Sequence, residues 1–407
     1  MEFERAISVL RFCGIEAPSA KNPNFLRFLG DTLITQQAVM LTILLVIAGF
    51  SVQKLTLFSI LHILRFISFG IQLFNVRTFF SSNRTKLFKF IEKFDLHSGF
   101  SLPSILREEQ KMRQNSMKFS SAFRKFIIIS NMIVIFISLS MPLAQIFLDH
   151  YPNFDYESTE HDPIIINKHR RMHLWYEIWW PTDPREMPTY IFIMLWNVLC
   201  LLLNIGTFAA SNVFIATMMV GISKRAQFLT DIAHVALSNG RSFKRVPQLM
   251  KRWIKYHQFY VSLVNEVNSL YGYTLMLDHL CYTYRITYYC YLLVKYSGTG
   301  KQCDMCYYFF MPVFYAVVQL LTQTSAGQLI ITKSKELNER VVKVANHGLI
   351  TAEGPLRSTL QTLKARCSCG VEEQITGSNL FIVSLWSLLK EFSLVASVLL
   401  VLSQIGV

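Results

Sequence analysis

A handful of polar side chains stand inside apolar stretches of this chain, and they set the chemistry open to it. Lys390 and Glu391 interrupt the stretch 374–407, and Gln404 lies near its end. Asp278 and Arg285 interrupt a second stretch, and His62 and Arg65 a third. Charged groups in a low-dielectric setting are costly, so they pair with one another or serve an ion or ligand path. Gln404 with Leu400, Val401 and Ile405 fits a pore. A ring of apolar side chains closes such a path by dewetting, and a ring of amides hydrates a passing cation without holding it. Packing against lipid or a neighbouring helix fits the same four residues. Lys390 and Glu391 are adjacent, about 100° apart on a helix, so at most one faces the path. Asp278 and Arg285 lie two turns apart on one helix face. They are either anchors of a ligand pocket or members of interhelical pairs, Arg65 with Asp278 for instance.

A pocket has further candidates. Tyr282, Tyr288, Tyr289, Tyr307, Tyr308, Phe314 and Tyr315 crowd the ends of two neighbouring apolar stretches. Small-ligand pockets are mostly apolar and aromatic, with few polar groups. Met141, Gln145, Trp196 and Asn197 join Tyr288, Tyr308, Phe314, Tyr315, His62, Arg65 and Asp278 in the expected lining. An aromatic belt at the membrane interface accounts for some of the tyrosines equally well. Trp175, Tyr176, Trp179 and Trp180 form either a lid or part of that belt. Enzyme chemistry is not expected. The chain has no HExxH and no nucleophile elbow, and Gly298-Thr299-Gly300-Lys301 lacks the phosphate-loop spacing. His169 and His173 have helical spacing, but two ligands are too few for a metal site. No cofactor is expected. Cys303 and Cys306 form a lone CxxC, with Cys290 as an alternative disulfide partner.

The elements that hold these residues are membrane helices. The chain has 407 residues, 52% hydrophobic and only 16% charged, with a mean hydropathy of +0.33. Soluble domains carry about 25% charged residues. Windows 32–53, 126–148, 187–223 and 305–332 carry no charge, and 55–76, 267–294 and 374–407 carry one or two. Each exceeds or approaches the roughly 20 residues a spanning helix needs. Backbone groups in lipid must be paired internally, and alternating strands of a barrel are absent from the pattern. The expectation is an all-α integral membrane protein of seven transmembrane helices forming a single domain. Residues 1–31 precede the first span without the apolar core of a cleavable signal. Spans one to six occupy 32–332, a cytosolic helical segment 333–374, and the pore-lining helix 375–407. Basic residues in the loops 86–124 and 225–260 alternate with apolar ones at helical spacing, so these loops extend the spans as helices. A net charge of +14 spread over such loops forms no stripe, so no nucleic-acid partner is expected.

Charge sets the orientation. The loops after spans two and four are basic, with Lys224, Arg225, Arg241, Lys244 and Arg245 against Asp231 in the latter. The loop after span three is acidic, from Asp149 to Glu186. The positive-inside bias then places the N-terminus in the cytosol and Gln404 at the outer end. A G-protein-coupled receptor has the reverse arrangement. The sequon Asn83-Arg84-Thr85 falls on the cytosolic side and is expected to stay bare. A transporter is disfavoured by the odd span count and the lack of an internal repeat.

The tail carries a resemblance. Ser397-Val398, five residues, then Gln404-Ile405 keep the spacing of the terminal signature of arthropod gustatory receptors, Thr-Tyr, five apolar residues, Gln-Phe. Only Gln is identical. Residues from Ile375 to Val383 stand in register with that family's Phe-Thr-Ala-Cys-Gly-Phe-Phe stretch, and Leu388-Leu389 with its leucine pair. The chain thus resembles that family, within the insect gustatory and odorant chemoreceptors. The resemblance implies a ligand-gated, nonselective cation channel, tetrameric as a homomer or with related subunits. It implies an outward-facing pocket for a small tastant, bitter or sugar-like, with Val401, Gln404 and Ile405 at the gate. It also implies a split seventh segment and a place in the plasma membrane of sensory neurons. An odorant receptor subunit working with a co-receptor is the sister reading.

Overall fold

The computed structural model describes residues 57–94, 103–148, 187–238, 246–296, 302–351, 354–368 and 374–404. The expected first span, the acidic loop with its tryptophans, His169 and His173 lie outside the described residues. The described residues hold eight α-helices and one hairpin. In chain order they are α1 (Leu57–Ser82), α2 (Arg84–Phe94), α3 (Pro103–Leu148), α4 (Met187–Ser238), α5 (Val246–Tyr296), α6 (Gln302–Thr351) and α7 (Gly354–Ser368). The hairpin strands β1 (Thr376–Gly377) and β2 (Phe381–Ile382) follow, then α8 (Leu385–Gln404).

Length explains the layout. Helices α3 to α6 run 46 to 52 residues, more than twice what a bilayer crossing needs. The apolar half of each runs on into the basic half as one helix, with no proline at the junction. The loops with helical spacing are therefore extensions of the long helices, with α2 as a separate short piece. These extensions and the adjoining parts of the apolar stretches build the main core. Trp253, Tyr260, Tyr271, Phe90, Phe94 and Phe228 are fully buried in it. Arg225 of α4 is buried there too. Its guanidinium lies 3.6 Å from the Phe94 ring centre and donates to the Phe94 carbonyl, closing the last turn of α2. Trp253 donates its indole N–H to the Leu229 carbonyl at 2.8 Å, and His257 stacks on it at 5.1 Å. Burial and the Arg366 charge push the His257 imidazole down to about 4, so it stays neutral in the bundle.

A smaller core joins Ile205, Tyr282, Ile286, Tyr315, Ala316 and Leu320 to Leu388 and Val395 of α8. Elsewhere this half of the molecule is apolar on its outside. Phe74, Phe136, Leu195 and Leu280 are each more than half exposed, as lipid-facing side chains are.

The terminal segment departs from expectation. Residues 375–407 were expected to form one helix, yet α8 begins only at Leu385. Before it, Gly377 and Leu380 close a two-residue turn, with Ser378 at φ 51° and Asn379 at φ 60°. Positive φ at both central positions suits the twist of a tight hairpin, and Asn tolerates it well. Asn268 of α5 acts as a surrogate strand edge. Its amide donates to the Gln374 carbonyl at 2.8 Å and accepts from the Thr376 N–H at 2.9 Å. Ser384 and Ser387 then cap α8 reciprocally, each hydroxyl accepting the other's backbone N–H at 3.1 and 3.2 Å.

The hairpin is clamped by a glycine notch in α6. A Cβ at Gly327 would sit 2.1 Å from the Val383 carbonyl oxygen. Backbone cannot retreat as a side chain can. Alanine in a helix ordinarily stabilises over glycine by about 1 kcal/mol, and overpacking costs about 1–3 kcal/mol. Gly327→Ala is therefore expected to lower the melting temperature of the detergent-purified protein. An unchanged or raised melting temperature would contradict this packing.

Candidate ion path and the polar network behind it

Helix α8 has two unlike faces. Leu388 and Val395 are buried against α5 and α6, and Leu399 and Leu402 are half-buried beside Tyr288 and Tyr291. Lys390, Ser393, Ser397 and Gln404 are all exposed. At 3.6 residues per turn these four fall within about 40° of the direction opposite the buried stripe. Val401 shares that face, and Leu389, Leu394 and Leu400 flank it, all exposed. The face this chain leaves uncovered thus carries a polar line between apolar shoulders. Ile405 lies outside the described residues.

The structure separates the adjacent ions. Glu391 turns inward to α5. Its carboxylate meets His279 Nδ1 at 2.6 Å and accepts from the Thr283 hydroxyl at 3.1 Å. His279 and Thr283 are four residues apart, so they share one helix face and grip one carboxylate from the same side. His279 also lies 4.8 Å from the Phe381 ring of the hairpin.

The neighbouring residue on α5 holds a second network. Asp278 is buried, accepting from Gln72 of α1 at 2.8 Å and from Gln323 of α6 at 3.3 Å. The Gln72 carbonyl in turn accepts from the Arg285 guanidinium. Gln323 also donates to Asn212 of α4 at 2.6 Å, and Asn212 donates to Gln319. The Arg285 guanidinium lies 5.0 Å from the Phe69 ring centre and 5.4 Å from that of Tyr282. Asp278 and Arg285 are therefore joined through an amide, and the expected Arg65–Asp278 pair does not form. Arg65 sits elsewhere, 5.7 and 5.8 Å over the rings of Tyr288 and Tyr289, with its Nη1 donating to the Tyr289 hydroxyl at 3.4 Å. It is a full turn or more away along α1.

The other expected lining residues distribute as follows. Tyr288 and Tyr315 are buried, Tyr315 edge-on to Tyr282 at 6.5 Å. Phe314 is exposed and stacks on Phe310 at 6.3 Å, away from the network. The side chains of His62, Met141, Gln145, Trp196, Asn197 and Tyr308 lie outside the described residues. Cys290 is a free, half-buried thiol packed beside the α8 contact, so the proposed disulfide to it is absent. Cys303 and Cys306 have side chains outside the described residues.

Gln72, Asn212, Gln319 and Gln323 carry no charge, so the charge pattern of their windows does not mark them. Neutral amides inside those windows were the available signal. His279 stands beside the charged Asp278 in the same window, and a single histidine there carries no pattern of its own.

The grip on Glu391 is testable without any ligand. Removing either partner of a largely shielded pair leaves the other without its contact. His279→Ala and Glu391→Ala are each expected to lower thermal stability in detergent. The double variant should lose less than the sum, by about 0.5–3 kcal/mol of coupling. Strictly additive losses would contradict the contact.

Comparison with known proteins places this geometry. The family described as 7tm odorant receptor matches residues 54–388. No curated protein matches the chain in sequence. The insect olfactory receptor OR5 from Machilis hrabei, in complex with eugenol, has a similar structure. It is 16% identical, with a TM-score of 0.73, over 99% of this chain and 97% of that one. A second structure of that receptor is 14% identical with a TM-score of 0.72 over the same shares. At such identity the likeness is one of fold, the seven-helix membrane fold of these receptors. The expectation of an insect chemoreceptor holds at the level of the superfamily, and the match over most of its length makes this chain a member of the 7tm odorant receptor family.

Proposed function

We propose that this chain is a subunit of a ligand-gated, nonselective cation channel that detects a small organic molecule. Four terminal helices α8 surround the ion path, and the N-terminus lies in the cytosol of a sensory neuron. The observation that carries this reading is the polar line Lys390, Ser393, Ser397 and Gln404 on the uncovered face of α8. Hydroxyls, an amide and an ammonium group on an apolar helix are mismatched to lipid and matched to water. The flanking leucines suit contact with neighbouring copies. Gln404 and Val401 then stand toward the outer end, as an amide ring beside an apolar constriction.

Ligand binding would bias the α8 helices through α5. Asp278 belongs to the network of α1, α4 and α6, and His279, the next residue, holds Glu391 of α8. A ligand that shifts the network acts on both ends of that dipeptide, and it gates by as much as its affinities for the two states differ. The buried tyrosines Tyr282, Tyr288 and Tyr315, with the pocket residues expected from the sequence, supply an apolar and aromatic wall with few polar groups. The match to the odorant family supports a volatile ligand, and the receptor of similar fold holds eugenol. The spacing of the terminal Gln404-Ile405 motif supports a tastant as the second reading.

Whole-cell recording separates these. Cells expressing the chain, alone and with a related receptor subunit, receive eugenol, sucrose or quinine while GDP-β-S blocks G-protein signalling. A cation current that persists under the block is expected, with eugenol for an odorant receptor and with sucrose or quinine for a gustatory one. A response lost under the block, or silence to every probe in surface-labelled cells, would contradict the channel.

A further inference from the structure

We infer that Lys390 sets which cations pass, as a positively charged ring in the ion path that admits monovalent ions in preference to divalent ones. The inference rests on the pore reading of α8 and deepens it. Lys390 lies on the same uncovered face as Ser397 and Gln404. It stands 14 residues before Gln404, about 21 Å along the helix axis. Its charge is not cancelled locally. Glu391, the adjacent acid, points about 100° away and is held by His279 and Thr283. Among the described residues no carboxylate pairs with Lys390. Each subunit that contributes an α8 therefore contributes one unneutralised ammonium group to the path.

The physical consequence follows from charge. Coulomb energy scales with the product of charges, so such a ring raises the barrier for a divalent cation twice as much as for a monovalent one. Salt screens the effect without reversing its order. Four lysines, with no acid on the uncovered face of α8, also make the site the least cation-favouring point along that helix. Ser393 and Ser397 are the next polar groups on that face, and Ser397 spends its hydroxyl partly on the helix itself. The Ser397 hydroxyl donates to the Ser393 carbonyl at 2.9 Å. They retain lone pairs for hydrated ions but carry no charge to offset Lys390.

The test uses the full chain purified into planar bilayers, recording basal openings and those evoked by eugenol, with reversal potentials in asymmetric CaCl2 and NaCl. The calcium-to-sodium permeability ratio is expected to rise in the order wild type, Lys390→Gln, Lys390→Glu. The steps are about threefold or more for the first and about tenfold or more overall. Lys390→Cys provides an independent check that keeps the fold. A trimethylammonium thiosulfonate reagent should return its ratio toward wild type, and a sulfonate reagent should move it the other way. Openings whose ion ratios ignore residue 390 and the sign of the reagent would overturn this inference while leaving the pore in place. A wild-type protein with neither basal nor evoked openings would overturn both.

Discussion

Polar groups in a low-dielectric medium must find a partner or water, and this single constraint organises the membrane half of the molecule. Asp278 has no water, so α1 and α6 bring amides to its two oxygens, and Gln72 passes the charge on to Arg285. Glu391 is partly shielded, and α5 offers it an imidazole and a hydroxyl. Lys390, one residue earlier, has no carboxylate partner among the described residues. The same physics that ties one face of α8 to the bundle leaves the opposite face polar and uncovered, which is what the proposed ion path rests on.

The two halves of the molecule then divide the labour. The helical extensions carry the larger aromatic core, with Trp253, Tyr260 and Phe228 fully buried, and with Arg225 fastening α2 to α4. Just beyond those extensions, α5 and α6 hold the hairpin through Asn268 and the Gly327 notch. The hairpin in turn sets where α8 begins. Within the membrane half the core is smaller and is interrupted by amides, whose hydrogen bonds can be exchanged without opening a cavity. Helix α8 touches this softer half along a narrow stripe, Leu388 to Leu402, plus one carboxylate.

Much of this was legible before any coordinates. Long apolar windows continuing into basic, helically spaced segments foretold the extended helices, and the adjacent Lys390 and Glu391 could not share a face. The terminal stretch was harder. Its apolar composition suits a helix throughout, and only the Ser378-Asn379 turn and the Ser384 cap mark where the helix must wait. Charge counting also hid the network, because Gln72, Asn212, Gln319 and Gln323 carry no charge and so left their windows looking uniform. The Arg65–Asp278 pairing failed for a geometric reason. The two residues sit at different heights, and a tyrosine pair receives the guanidinium instead.

The most direct measurement is the water accessibility of α8, read one position at a time. Single cysteines replace Leu388, Ser393, Val395, Ser397 and Gln404, and a membrane-impermeant thiol reagent is applied during recording. Modification that changes the current at 393, 397 and 404, with 388 and 395 silent, is the result expected of a helix whose uncovered polar face lines the path. Equal reactivity at all five positions, or reactivity confined to 388 and 395, would contradict it.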